Sequence, residues 1–147
     1  MTNTQVQDMK RYLKSYRTLR REETLLRMRL ADLERRIRLP MLHPGKEEPV
    51  DVKALAEQRR QELLDLMKST LERCCEIETI IERVEGDGEN KTCLYRQILR
   101  LRYLDGLTFS QIADQLHYHE RHVRRLHRES LEAAVGLWKG GKANGVD

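Results

Sequence analysis

Between residues 5 and 38 the chain has neither a proline nor a glycine, and its apolar residues keep the beat of a helix with one buried side. Met9, Tyr12, Tyr16, Leu19, Leu26, Leu30, Leu33 and Ile37 follow alternating steps of three and four, with Glu23 as the polar interruption. That spacing holds one seam along about four heptads. Pro40, Pro44, Gly45 and Pro49 then force a loop, and Asp51 is placed to cap a second helix reaching Val84. The second seam is Ala56, Leu63, Met67, Cys74, Ile77, Ile81 and Val84, interrupted by Arg60 and Thr70 and widened by Leu55, Leu64, Leu71 and Ile80. Two helices of about 34 residues, each about 51 Å long at 1.5 Å rise per residue, predict an antiparallel coiled-coil hairpin. Two helices alone bury little, so the wide stripe on the second predicts a partner chain.

Charge is distributed in a way that supports this layout. Residues 1–50 carry 12 Lys and Arg against 7 Asp and Glu, residues 51–90 carry 6 against 11, and residues 91–147 carry 10 against 6. The first two segments are complementary, and the basic third is the expected nucleic-acid end. With 35% charged and 39% hydrophobic residues, the chain suits thin helices with a narrow core. No apolar run approaches a membrane span and no signal peptide is evident. Cys74, Cys75 and Cys93 have no framework or metal-ligand spacing, and His117, His119, His122 and His127 do not complete one, so no metal or other cofactor is expected. No nucleophile elbow, phosphate loop or carboxylate pair suggests an enzyme.

The chemistry-bearing stretch runs from Leu107 to Arg128. Thr108 and Gln111 form a capping box ahead of a short helix whose inner side is Ile112, Ala113 and Leu116. His117 stands where a tight turn takes a left-handed residue, and Tyr118 is expected to fill that turn. A second helix, residues 119–134, buries Val123 and Leu126 and turns Arg121, Arg124, Arg125 and Arg128 outward. A basic helix behind a short capped one is the helix-turn-helix arrangement, which sets its second helix in the DNA major groove. The expected DNA-contacting residues are Thr108, His119, Glu120, Arg121, His122, Arg124, Arg125 and Arg128. Ahead of it, Lys91–Leu104 reads as a helix burying Leu94, Ile98, Leu99 and Leu101, closed by Gly106. Glu85–Asn90, with Gly86 and Gly88, reads as a flexible hinge.

The segment ILRLRYLDGLTFSQIADQLHYHERHVRRL resembles region four of bacterial sigma factors, the module that reads the promoter −35 element. The resemblance covers residues 94–134. The whole layout looks like the small phage and prophage regulators of Gram-positive bacteria with sigma-like C-termini, the ArpU and RinA types. This resemblance implies contacts from the start of the recognition helix, at Glu120, Arg121, Arg124 and Arg125. Glu120 departs from the basic residue usual there, and no sigma region two is present.

The expected fold is therefore all-α, a long hairpin followed by a sigma region-four-like helix-turn-helix. Its expected parts are a hairpin over 1–85 that oligomerises through residues 5–84, a DNA-binding domain over 91–138 and a disordered tail over 139–147. The expected function is transcriptional regulation of phage or prophage genes on double-stranded DNA, in the bacterial cytoplasm at the nucleoid. Two alternatives are a recognition subunit of a phage DNA-packaging terminase and a sigma-like protein that docks on RNA polymerase.

Overall fold

The computed structural model describes residues 2–38 and 50–141, with side chains described for 2–38 and 52–138. The loop expected around Pro40–Pro49 and the tail beyond residue 141 lie outside the described residues. In order, the elements are α1 (Asn3–Lys14), α2 (Tyr16–Arg38), α3 (Val50–Arg83), α4 (Glu89–Leu99), α5 (Phe109–Leu116) and α6 (Glu120–Gly141). Among the described residues there is no strand, and no helix is long and apolar enough to cross a membrane. The all-helical expectation holds.

The expected first helix is divided. Thr2 caps α1 with a capping box to Gln5, and α1 ends at Ser15. The Ser15 hydroxyl donates to the Tyr12 carbonyl at 2.6 Å, the local bond by which serine competes with a helix's own ladder. The second long helix runs as the spacing predicts, except that it starts at Val50, so Asp51 sits inside the first turn and is not its cap.

The described residues fall into two compact units, which do not divide at residue 85 as expected. One is Leu19–Cys74; the other joins residues up to Thr18 with those from Cys75 onward. The physical reason lies in α1, whose apolar line of Val6, Met9 and Leu13 is buried and which packs against α6. The Tyr12 ring stacks on Trp138 with centroids 5.2 Å apart. Tyr12 of α1 also bonds through its hydroxyl to Glu76, and Tyr16, the first residue of α2, to Glu78, which ties this stretch to the last turns of α3. The acidic end of the second segment thus meets the first segment at these two tyrosine hydroxyls.

The Leu19–Cys74 unit is an antiparallel helix pair. Leu19 and Leu26 of α2 and Leu63 and Cys74 of α3 are buried, whereas Leu30, Leu33, Ile37 and Met67 are only half-buried. Glu23, the polar interruption, is 3% exposed and is held by Arg27 Nε at 2.9 Å. Arg60 Nε meets Glu34 at 3.2 Å across the pair, a cation from α3 and a carboxylate from α2, opposite to the net charges of the two segments.

The expected hinge is pinned. The Gly86 N–H donates to Thr92 Oγ1 at 2.9 Å, that hydroxyl donates on to the Gly88 carbonyl at 2.9 Å, and Arg96 Nε donates to the Val84 carbonyl at 2.8 Å. Gly88, at φ +97, begins α4. A Cβ on Gly86 would lie 2.8 Å from both Lys91 Cβ and Tyr95 Cε2. The glycines are therefore required by close approach and a left-handed backbone, not by mobility. Gly86→Ala is expected to cost on the order of 1–3 kcal/mol in chemical denaturation. An unchanged midpoint would show that the joint yields freely.

Candidate nucleic-acid interface

The platform under the interface is built from α4, α5 and α6, with α4 and α5 both packed against α6. Ile98 and Leu99 of α4 are fully buried, as the spacing predicts, while Leu94 is only half-buried. After Leu99 the helix widens into a π-helical turn, Arg100–Leu104, closed by an Asp105 N–H to Arg100 carbonyl bond of 3.0 Å. Gly106 follows at φ +78, the left-handed residue that the sequence expects after this helix.

Thr108 then starts α5 by the expected capping box. Its Oγ1 accepts from the Gln111 N–H at 3.1 Å, and its own N–H donates to Gln111 Oε1 at 2.9 Å. The threonine oxygen is thus engaged in starting the helix, on an exposed edge. Thr108→Ala is expected to lower stability by about 1 kcal/mol in urea unfolding, and no shift would show the cap to be redundant.

Ile112 and Ala113 of α5 are buried, and Leu116 is half-buried. The turn to α6 passes through His117 at φ 62, ψ 43, the left-handed conformation expected of this position. Tyr118 does not fill the turn. It is 40% exposed and meets the His122 ring edge-on at 4.9 Å. Val123 and Leu126 are 0% and 3% exposed and seat α6 on the platform.

What α6 presents is more differentiated than four equivalent arginines. His119, Glu120, Arg121, His122 and Arg125 line one shallow hollow at its start. Arg121 is exposed and makes no hydrogen bond or ion pair among the described residues. The Arg125 guanidinium lies 2.8 Å from His122 Nδ1. Arg124 lies outside this hollow: it donates from Nε and Nη2 to Glu120 Oε2 at 3.0 and 2.7 Å and stands 4.6 Å over the Phe109 ring. Arg128, a turn further on, pairs with Glu132 at 3.6 Å. The hollow and its single uncommitted guanidinium suit base-edge contact, whereas Arg124 and Arg128 must exchange an intrahelical carboxylate for any phosphate they meet.

Behind the arginines lies a cluster that the sequence did not disclose. Tyr103 Oη and His127 Nε2 share a buried hydrogen bond of 2.7 Å, and Phe109 meets His127 edge-on at 4.8 Å. Arg102 also stands over the Phe109 ring, 4.2 Å from its centroid, and donates to the Leu107 carbonyl at 3.0 Å. Burial, then the nearby cations Arg102, Lys10 and Arg124, push His127 down to about 4, so it is neutral at neutral pH. Burial raises Tyr103 to about 12, against the opposing pull of Arg102. The available signal was position: His127 follows Val123 by four residues and Leu126 by one, on the edge of the inward side. Among the described residues no group of three or more His, Cys, Asp or Glu could hold a metal ion. Cys74 is buried and Cys75 exposed, so these neighbours point apart.

A capped short helix, a left-handed turn residue and a basic second helix seated by Val123 and Leu126 define a helix-turn-helix, the class of fold used to enter a DNA groove. Residues 95–133 match the family described as Sigma-70, region 4, just over a quarter of the chain. The comparisons with curated proteins and with solved structures gave no match. The sigma-like resemblance of the sequence thus holds for residues 95–133.

Proposed function

We propose that this protein is a sequence-specific DNA-binding transcriptional regulator of phage or prophage genes, working in the bacterial cytoplasm without catalysis or cofactor. The start of α6 enters the major groove, with Arg121 and Arg125 reading base edges and Arg124 and Arg128 meeting backbone. The observation that carries this reading is the helix-turn-helix geometry within the sigma region-four match, with Arg121, unpaired among the described residues, lining its hollow. Selection of bound fragments from the source genome, followed by footprinting, tests it. Recovery of one recurrent motif is the expected result, and fragments recovered without sequence preference would contradict it.

Self-association through the helix pair belongs to the same reading. Leu25 and Met28 of α2 and Leu55 and Leu66 of α3 are 50% or more exposed, large apolar side chains that a partner chain would cover. Sedimentation is expected to give a dimer or larger species. A strict monomer would remove this part, and a ring of eight or more copies would favour the packaging role. Docking on RNA polymerase is a second reading, which the sigma region-four match also supports. Polymerase retention without duplex binding would select it.

A further inference from the structure

Beyond the segment that matches the sigma family, the N-terminal helix carries a row of cations toward the same platform. Lys10, Lys14 and Arg17 fall at i, i+4 and i+7 and so share one flank. Ser15 keeps right-handed helical dihedrals, φ −70 and ψ −14, so the phase carries through to Arg17. Tyr12, which stacks on Trp138, occupies the other flank of the buried Val6–Met9–Leu13 line.

Two observations place this row beside the helix-turn-helix. The Arg17 guanidinium lies over Gly106, where an added Cβ would fall 2.0 Å from its Nη1 and 2.5 Å from its Cζ. Lys10 is close enough to His127 to disfavour the charged imidazole, as are Arg102 and Arg124. Arg102 and Arg124 in turn both stand over the ring of Phe109, the first residue of α5. Lys10, Arg17, Arg102 and Arg124 therefore gather around the start of α5, and the exposed Lys14 lies between Lys10 and Arg17 along the same flank of the helix.

Of the neighbouring carboxylates, Asp8 is taken by Arg11 and Glu120 by Arg124, and Asp105 is exposed in the Gly106 turn. Lys10, Lys14 and Arg17 make no ion pair among the described residues. Like charges gathered in this way repel one another until an extended anion neutralises them. We propose that the row formed by Lys10, Lys14 and Arg17 follows the phosphate backbone of the duplex beside the groove that α6 enters, making α1 a second part of the DNA interface. The row supplies affinity and orientation without reading sequence. This inference rests on the DNA-binding reading above, and its test separates the two.

The experiment is a salt titration of the full chain on a random-sequence duplex about three helical turns long, repeated on the preferred sequence once selected. Each phosphate contact contributes about 0.9 to the slope of log affinity against log salt. Lys10→Gln combined with Arg17→Gln is expected to lower that slope by about two and weaken both duplexes by the same factor, about tenfold at low salt. Because Arg17 packs over Gly106, a second variant is needed. Lys14→Glu changes an exposed side chain and is expected to lower the slope by at least about one with an unchanged thermal melt. A wild-type protein with a steep slope on which both variants superimpose overturns the proposal and leaves the DNA-binding reading standing. Loss of retention on purified RNA polymerase with unchanged duplex titrations overturns it in favour of a protein partner. A wild-type protein with no salt-dependent duplex binding overturns both.

Discussion

Arg121→Ala and Arg125→Ala are each expected to cost about 1–3 kcal/mol on the preferred duplex, about fivefold to 150-fold in affinity, with relaxed preference at one or two positions. Both residues line the hollow at the start of α6, and among the described residues Arg121 has no competing partner to give up. Arg124→Ala is expected to act differently. Its guanidinium is anchored to Glu120 and to the Phe109 ring, so its removal weakens all sequences alike and lowers the salt slope by about one. Glu120→Ala releases Arg124 and is expected to strengthen binding to random duplex. The comparison is anisotropy on preferred and random duplexes across salt, with circular dichroism confirming the helices. An Arg121→Ala, Arg125→Ala double variant that binds like the wild type would sink the base-reading assignment.

Lowering the pH from 6.5 to 4 is expected to remove about 3 kcal/mol of stability through His127 alone. The folded-state value is depressed to about 4, below the ordinary histidine value near 6.5. The unfolded chain therefore takes up a proton in this window that the folded chain refuses. Stability is full above about pH 6.5, falls by up to about 1.4 kcal/mol per pH unit, and levels off below about pH 4. The cause is a ring 6% exposed, facing Tyr103, Phe109 and three cations. Carboxylates also titrate in acid, so the test is the difference between wild type and His127→Gln in urea unfolding at a series of pH values. A constant difference across the window would contradict the assignment.

Periodicity made the helices legible because apolar residues at three-four spacing leave a helix few other ways to bury them. It also marked the capping box at Thr108, the left-handed residue at His117 and the seating of Val123 and Leu126, since each is set by neighbours within a turn. What it missed depended on residues far apart in the chain. Nothing local in α1 says that Val6, Met9 and Leu13 pack on α6, so the hairpin was expected to form a separate part. The glycines at 86 and 88 signalled freedom, whereas Thr92 and Arg96, several residues away, hold that joint. The outward arginines were legible as a set. Their division into the hollow pair, the ring-stacked Arg124 and the Glu132-paired Arg128 was not, because it follows from carboxylates and a phenyl ring brought together only by folding.

The central claim is that the start of α6 lies in the major groove. Methylation protection at guanine N7, which faces only that groove, tests it most directly. On the selected sequence, the wild-type protein is expected to shield guanines within about half a helical turn, and Arg121→Ala is expected to expose at least one of them again. Full guanine reactivity in a saturated complex, with protection confined to minor-groove positions, would contradict the account.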